Sequence, residues 1–298
     1  MLVNNGTVLA LLAYAVYSWA DAATKALGSG LSVFEIGFYM TLVSAVCIAL
    51  TTPKDEKLLH FWRMQRPWAV QARAVSGTVA SILSVVAFTT IPLAEAYALI
   101  FLAPLFVTLM SVFLLKEQVG PWRWLAIGAG FAGVLLVVRP GFTALGVGHV
   151  AALIVALLAA CSVILMRSLS ARETRTTMLG FLMIYIIAAN GVAMLVTGAR
   201  MPTLEEAAML LAAGVCAAAG NIFLLRATRF APAAQLAPTQ YSQIVWAVVL
   251  GALLFQEQPD LLALVGLAII ASSGLLTVAR ERIRLGTVRW NPFSRNRL

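Results

Sequence analysis

The chain has 298 residues, of which 61% are hydrophobic and 11% charged, and its formal net charge is +9. A soluble domain has about 45–50% apolar and about 25% charged residues, so this chain cannot cover its surface with polar groups and needs lipid. Its basic residues lie in short segments between apolar runs rather than along one patch, which argues against nucleic-acid binding and gives the charge a topological meaning.

A membrane span needs about 20 mainly apolar residues. Ten segments qualify: 8–27, 34–52, 72–91, 94–115, 124–138, 150–166, 178–197, 206–225, 233–255 and 261–279. The apolar run at the start has no basic n-region and continues through Ala20-Asp21-Ala22, so it reads as the first span and not as a cleaved signal. Pro92 divides the long apolar stretch 72–115 into two spans. No extramembrane domain is expected.

With the N-terminus on the cytoplasmic side, ten crossings place 18 of the 21 Lys and Arg residues inside, leaving only Lys25, Arg139 and Arg200 outside. Basic residues in short loops favour the cytoplasm, so both chain ends are expected there.

The chain also repeats itself. Residues 87–118 and 227–258 are two versions of one text, 140 positions apart. Ala87 falls on Ala227, Pro92 on Pro232, Ala94 on Ala234, Glu95 on Gln235, and Glu117-Gln118 on Glu257-Gln258, without a gap. Lys25-Ala26-Leu27 recurs as Arg167-Ser168-Leu169 at an offset of 142. Five spans per half is an odd number, so the second copy enters the membrane upside down. The expected fold is an all-α polytopic protein with ten spans as a 5+5 inverted repeat: 1–146, 147–280, and a basic cytoplasmic tail 281–298. Inverted repeats are a common build for secondary transporters, with cargo bound near the midplane between the halves.

Polar groups inside a span are costly and mark candidate sites. In the first span Tyr14, Ser18, Asp21 and Lys25 share one helix face, with Tyr17 beside them. Two readings stand. Asp21 meets a cargo ammonium and Lys25 a carboxylate, or the two residues pair with each other at spacing four. In the fourth span Tyr97, Phe101, Pro104, Thr108 and Ser111 share a face, and Pro104 favours a kink beside the aromatics. The ninth span clusters Gln235, Thr239, Gln240, Ser242, Gln243 and Trp246 around Pro238, and its glutamines need a partner, either a helix or a ligand. Asn190 and Asn221 are lone polar residues among apolar neighbours; Asn221 is assigned to the cavity. Pro92, Pro104, Pro232 and Pro238 are expected hinges. Glu117 and Glu257 end their helices and are expected to interact with the start of the next one. The glycines of the fifth and tenth spans, Gly128, Gly130, Gly133, Gly266 and Gly274, suit close helix packing. Trp62, Trp68, Trp122 and Trp124 suit interfacial anchoring.

No phosphate loop and no HExxH motif occur, and the two histidines, His60 and His149, lie in or beside loops. Cys47, Cys161 and Cys216 are dispersed in apolar runs and give neither a disulfide framework nor a metal spacing. The expectation is a non-enzyme with no cofactor, no metal and no obligate protein partner.

The Pro92-x-Ala94-Glu95 turn, the Pro104 helix ending at Glu117, Trp19 six residues before Lys25, and the repeat itself resemble the EamA-type transporters of the drug/metabolite transporter superfamily, over all ten spans. Within that family the wording is most like the YddG-type exporters of aromatic and other bulky apolar amino acids. The resemblance implies a basket of ten helices in a bacterial inner membrane, with a central cavity lined by all but the fifth and tenth spans and opening alternately to each side. Two departures are visible. Ala20 follows Trp19 where the family usually has glycine, and Ile244 stands where the second half would match Pro104, so the halves should not bend identically. The resulting expectation is an exporter of apolar or aromatic amino acids. The alternatives are an exchanger of cationic drugs or other metabolites and, from a different class, a passive channel or lipid-handling protein.

Overall fold

A computed structural model describes residues 5–51, 62, 64–115, 121–139, 144–169, 173–231 and 236–288. These residues form helices and their connections, with no strand among them. In chain order the helices are α1 (Gly6–Leu27), α2 (Val33–Thr51), α3 (Pro67–Thr90), α4 (Leu93–Ile100), α5 (Ala103–Leu115), α6 (Pro121–Val138), α7 (Val147–Leu169), α8 (Arg175–Thr197) and α9 (Leu204–Phe230). A 3-10 turn (Ala237–Tyr241), α10 (Ser242–Phe255) and α11 (Leu261–Val288) follow. α4 with α5 makes one span and the 3-10 turn with α10 another, so the described residues hold ten apolar helical spans. Eight are long and apolar enough to cross a bilayer, and α6 and α11 contribute the shorter apolar segments Trp124–Val138 and Leu261–Leu276. Outward faces carry Leu12, Trp19, Val46, Phe113, Val192 and Leu253, all exposed, as a surface solvated by lipid tails requires. Trp62, Trp68, Trp122 and Trp124 are exposed as well.

The helices run past the ends expected from hydropathy, because caps rather than apolar residues terminate them. α3 starts at Pro67, a proline in the first turn, where its missing N–H costs nothing. α9 starts at Leu204 behind a capping box in which Thr203 and Glu206 satisfy each other's backbone N–H groups. The fourth span breaks earlier than its proline. α4 ends at Ile100, and Phe101 and Leu102 form a tight turn in which Leu102 N–H reaches back only to the Leu99 carbonyl, at 3.0 Å. Pro104 has no N–H to offer the Ile100 carbonyl, so the regular ladder fails in the turn before it. In the ninth span Pro238 opens the 3-10 turn, while α10 runs unbroken through Ile244. The two irregularities meet at equivalent positions of the repeat, since Phe101 and Leu102 correspond to Tyr241 and Ser242, although the prolines do not match. Pro232, Gln235 and Glu117 lie outside the described residues.

One contact occurs twice, once at each end of the bundle. Glu35, at the start of α2, accepts the backbone N–H of Arg200 before α9 at 2.9 Å. Glu173, just before α8, accepts those of Gln65 and Arg66 before α3 at 2.7 and 2.6 Å. A carboxylate of each half thus holds the backbone just before a helix of the other, Arg200 before α9 and Arg66 before α3, as a repeated contact of an inverted pair would. α6 and α11 pack together at one side of the molecule, where the Gly133 and Gly266 backbones meet. A Cβ on Gly133 would lie 2.7 Å from the Gly266 carbonyl oxygen, and one on Gly266 would lie 2.6 Å from that of Gly133.

Candidate functional site

The polar stripe of α1 meets α10 and the second turn of α4. The Tyr97 hydroxyl donates to the Asp21 carboxylate and accepts from the Gln243 side-chain amide at 3.2 Å. Ser18, fully buried, donates to the Tyr14 carbonyl at 3.0 Å. Three helices from both halves therefore converge on one phenol, which is satisfied as donor and acceptor at once. Asp21 is half-buried, and among the described residues no cation contacts it.

Beside this cluster runs a row of rings. Phe88 and Tyr97 have centroids 5.6 Å apart, Tyr97 and Phe101 are stacked at 6.2 Å, and Phe101 and Tyr241 are stacked at 5.0 Å. Tyr241 was absent from the sequence reading although the repeat held its signal: it falls 140 residues after Phe101, so two equivalent positions stack on each other where the halves meet. Phe88 and Gly220 carried no such signal. Gly220 of α9 admits the Tyr17 ring, because a Cβ there would lie 2.7 Å from it. Tyr17 and Tyr14 are neighbours, with ring centroids 6.3 Å apart.

The remaining sequence candidates disperse. Asn221 bonds back to the Ala217 carbonyl of its own helix at 2.9 Å, and Asn190 does the same to Ile186 at 2.8 Å. Gln240 is exposed, and Trp246 packs, partly buried, against the apolar core around α4 and α10. Thr108 donates to the Pro104 carbonyl at 3.0 Å.

The Asp21–Lys25 pair suggested by their spacing does not form. Lys25 turns to the end of the bundle, where its ammonium lies 2.6 Å from the Glu257 carboxylate and 2.6 Å from the Ile91 carbonyl. The local spacing loses to a tertiary partner because Ile91, just before Pro92, leaves its carbonyl outside the helical ladder. Glu257 also differs from expectation. Its second oxygen accepts the Leu93 N–H at 3.1 Å, so it caps α4 of the other half. The next helix, α11, is instead capped by Asp260, which accepts the Ala263 N–H at 3.0 Å.

The same end holds a recess of about 360 Å³ lined by Pro92, Glu95, Arg139, Glu257 and Asp260 among others. Arg139 bonds to Asp260, which holds the Asp260 carboxyl below its usual value and the Arg139 guanidinium above its own. Arg200 is raised likewise by its bond to Glu206. His149 accepts the Gly146 N–H on Nδ1 at 3.0 Å, so its proton is on Nε2, which donates to Glu95 at 3.0 Å. Among the described residues no group of three or more His, Cys, Asp or Glu could hold a metal ion.

Comparison with known proteins agrees with this architecture. A family model described as "EamA-like transporter family" matches residues 4–139 and 146–279. The riboflavin transporter of Rhizobium johnstonii is 30% identical over 74% of this chain and 74% of its own length. The pseudopaline exporter CntI of Pseudomonas aeruginosa is 30% identical over 96% of this chain and 99% of its own. The S-adenosylmethionine uptake transporter of Rickettsia prowazekii is 24% identical over 93% and 94%. A solved crystal structure, 20% identical, shares the fold with a TM-score of 0.66 over 93% of this chain and 98% of that one. These relatives carry other names than aromatic amino acid exporter, so they support the family and not the narrower YddG-type likeness.

Proposed function

The chain belongs to the EamA-like transporter family, and from that premise we propose that it exports small metabolites with a charged head and a flat or apolar body, aromatic and apolar amino acids foremost, by alternating access. The observation that carries the reading is the junction of Asp21, Tyr97 and Gln243 beside the stacked rings of Tyr97, Phe101 and Tyr241. A cargo ammonium takes the place of the Tyr97 hydroxyl on Asp21, and its ring lies along the aromatic row. Such stacking contributes about 0.5–1.5 kcal/mol beyond area burial. Ser18, Tyr14, Asn221, Gln240 and Trp246 complete the proposed lining, and Pro92, Pro104, Pro232 and Pro238 are the proposed hinges. Lys25 is withdrawn from cargo contact, since Glu257 already holds it.

The basic-rich connections face the cytoplasm in this reading, which puts the protein in a bacterial inner membrane with Lys25 at the outer end. Two of the relatives' named cargoes, riboflavin and S-adenosylmethionine, carry flat heteroaromatic rings, which agrees with an aromatic row as the common element. A second reading, exchange of cationic compounds, is favoured by one fact: Asp21 has no cation beside it among the described residues, so a cargo with positive charge and no carboxylate fits equally.

Counterflow in proteoliposomes tests both. Labelled phenylalanine inside should leave faster when unlabelled phenylalanine is added outside, and Asp21→Asn should slow this exchange about tenfold or more, the worth of one charged hydrogen bond. When riboflavin, S-adenosylmethionine or a cationic dye is loaded as the labelled compound in its place, trans-stimulated efflux of one of these but of no amino acid rejects the amino acid cargo. If no compound accelerates efflux, alternating access fails.

A further inference from the structure

The Lys25 end of the molecule is drawn together by contacts that neither the cargo site nor the packing of lipid-facing helices requires. The Lys25 ammonium bridges the Ile91 carbonyl of its own half and the Glu257 carboxylate of the other half, both at 2.6 Å. The second Glu257 oxygen holds the first N–H of α4 at 3.1 Å. The side chains are only 12% and 21% exposed, and an ion pair withdrawn from water strongly resists the loss of one partner. Around it the backbone is tight. A Cβ on Gly28 would lie 2.3 Å from Thr89, and one on Gly148 would lie 2.2 Å from Thr90 and 2.8 Å from Ile91. The turn between α3 and α4 is therefore gripped between the end of α1 and the start of α7. α1 packs against α3 here, whereas α7 and α9, the equivalent pair of the second half, form no comparable face among the described residues.

We propose that Lys25 and Glu257 are the gate pair that closes the cargo site toward the Lys25 end, so that the bond between them must break each time the site turns to that side. Three features point to a gate and not to a static brace. The pair joins opposite halves, which is where rocking occurs in an inverted repeat. It seizes both sides of the Pro92 turn, Ile91 before it and Leu93 after it, so its release frees α3 and α4 together. It lies one helical turn beyond Asp21 on α1, and Tyr97, four residues along α4 from Leu93, bonds Asp21. A cargo that displaces Tyr97 thus removes one polar tie between α1 and α4 and leaves in place the path from Lys25 through Glu257 to Leu93. Glu257 and Pro92 line the recess at this end, which gives water direct access to the pair once it opens.

The proposal rests on the alternating-access reading but not on any particular cargo, and its test uses no cargo. In a background with Cys47, Cys161 and Cys216 replaced by alanine, Tyr14→Cys, at a half-buried position of the proposed lining, reports access to the site. Labelling by a membrane-impermeant maleimide is timed in right-side-out and inside-out vesicles. Without the gate substitutions, labelling from the Lys25 side should be slow and from the other side fast. Lys25→Met should raise the rate from the Lys25 side several-fold and lower it from the other. Glu257→Gln keeps an acceptor for Leu93 N–H and should act in the same direction by a smaller factor. A monodisperse size-exclusion profile establishes folding, and the milder Glu257→Gln keeps the test decisive if Lys25→Met does not fold. An unchanged side preference in a folded variant overturns the gate. Equal labelling from both sides before either gate residue is changed overturns alternating access itself.

Discussion

Two helix junctions in this protein solve the same problem by opposite means. Where α1, α4 and α10 meet, side chains make the bond: a carboxylate, a phenol and an amide, each able to trade its partner for a ligand or for water. Where α6 and α11 meet, backbone lies on backbone at Gly133 and Gly266, and nothing there can be exchanged. The first junction can open and reform at little cost, while the second yields only by moving the helix axes. Their difference separates a moving centre from a fixed margin, and it follows from residue type: small residues let helices approach, and polar ones supply bonds within a medium that offers no alternative partner.

The comparison breaks most severely at the glycines. Gly133→Leu places a branched side chain where even a Cβ would lie 2.7 Å from a backbone oxygen. It should cost about 1–3 kcal/mol or more, read as a clear fall in the thermal midpoint in detergent or as failure to fold; an unchanged midpoint would refute the close approach. Tyr97→Phe sharpens the other side. If the hydroxyl competes with cargo for Asp21, its removal should lower the apparent KM for exchange by roughly three- to tenfold, somewhat less than a full charged hydrogen bond, with the fold retained. A rise in KM would mean that the hydroxyl touches the cargo directly.

The smallest effect belongs to Asp260. Its bond to Arg139 depresses its pKa, so the stabilisation it brings is present above the ordinary carboxylate pKa and is lost as the pH falls through the lower, folded value. Asp260→Asn should therefore flatten the acid side of a stability-versus-pH profile. It should lower stability at neutral pH only slightly, because exposed ion pairs contribute little, and the two profiles should converge in acid. A large loss at neutral pH would show that this pair belongs with the buried gate pair and not with the surface.

Much of this architecture was readable before any coordinates. Span count and the break at Pro92 depend on local chemistry: hydropathy over about 20 residues and a proline that cannot donate. The helix ends were less legible, since the cap at Thr203 and the hold of Glu173 on the Arg66 backbone act on residues that hydropathy does not weigh. Within the site, the face shared by Tyr14, Ser18 and Asp21 was visible as helical spacing. Tyr241 could have been found from Phe101 by the repeat register alone. Lys25 and Glu257 were misread because each had a plausible partner nearby in sequence, Asp21 four residues back and the following helix.

The sequence alone determined that this chain lives in lipid, crosses it ten times and was built from two copies of one unit, because each property is written in composition or in short-range order. Only the tertiary structure decided which buried charges face one another. Inside a bilayer a carboxylate or an ammonium takes whatever partner the packed helices bring within about 3 Å, and neither 66 residues of separation from Lys25 to Ile91 nor 164 from Leu93 to Glu257 leaves a trace in the periodicity of any one helix.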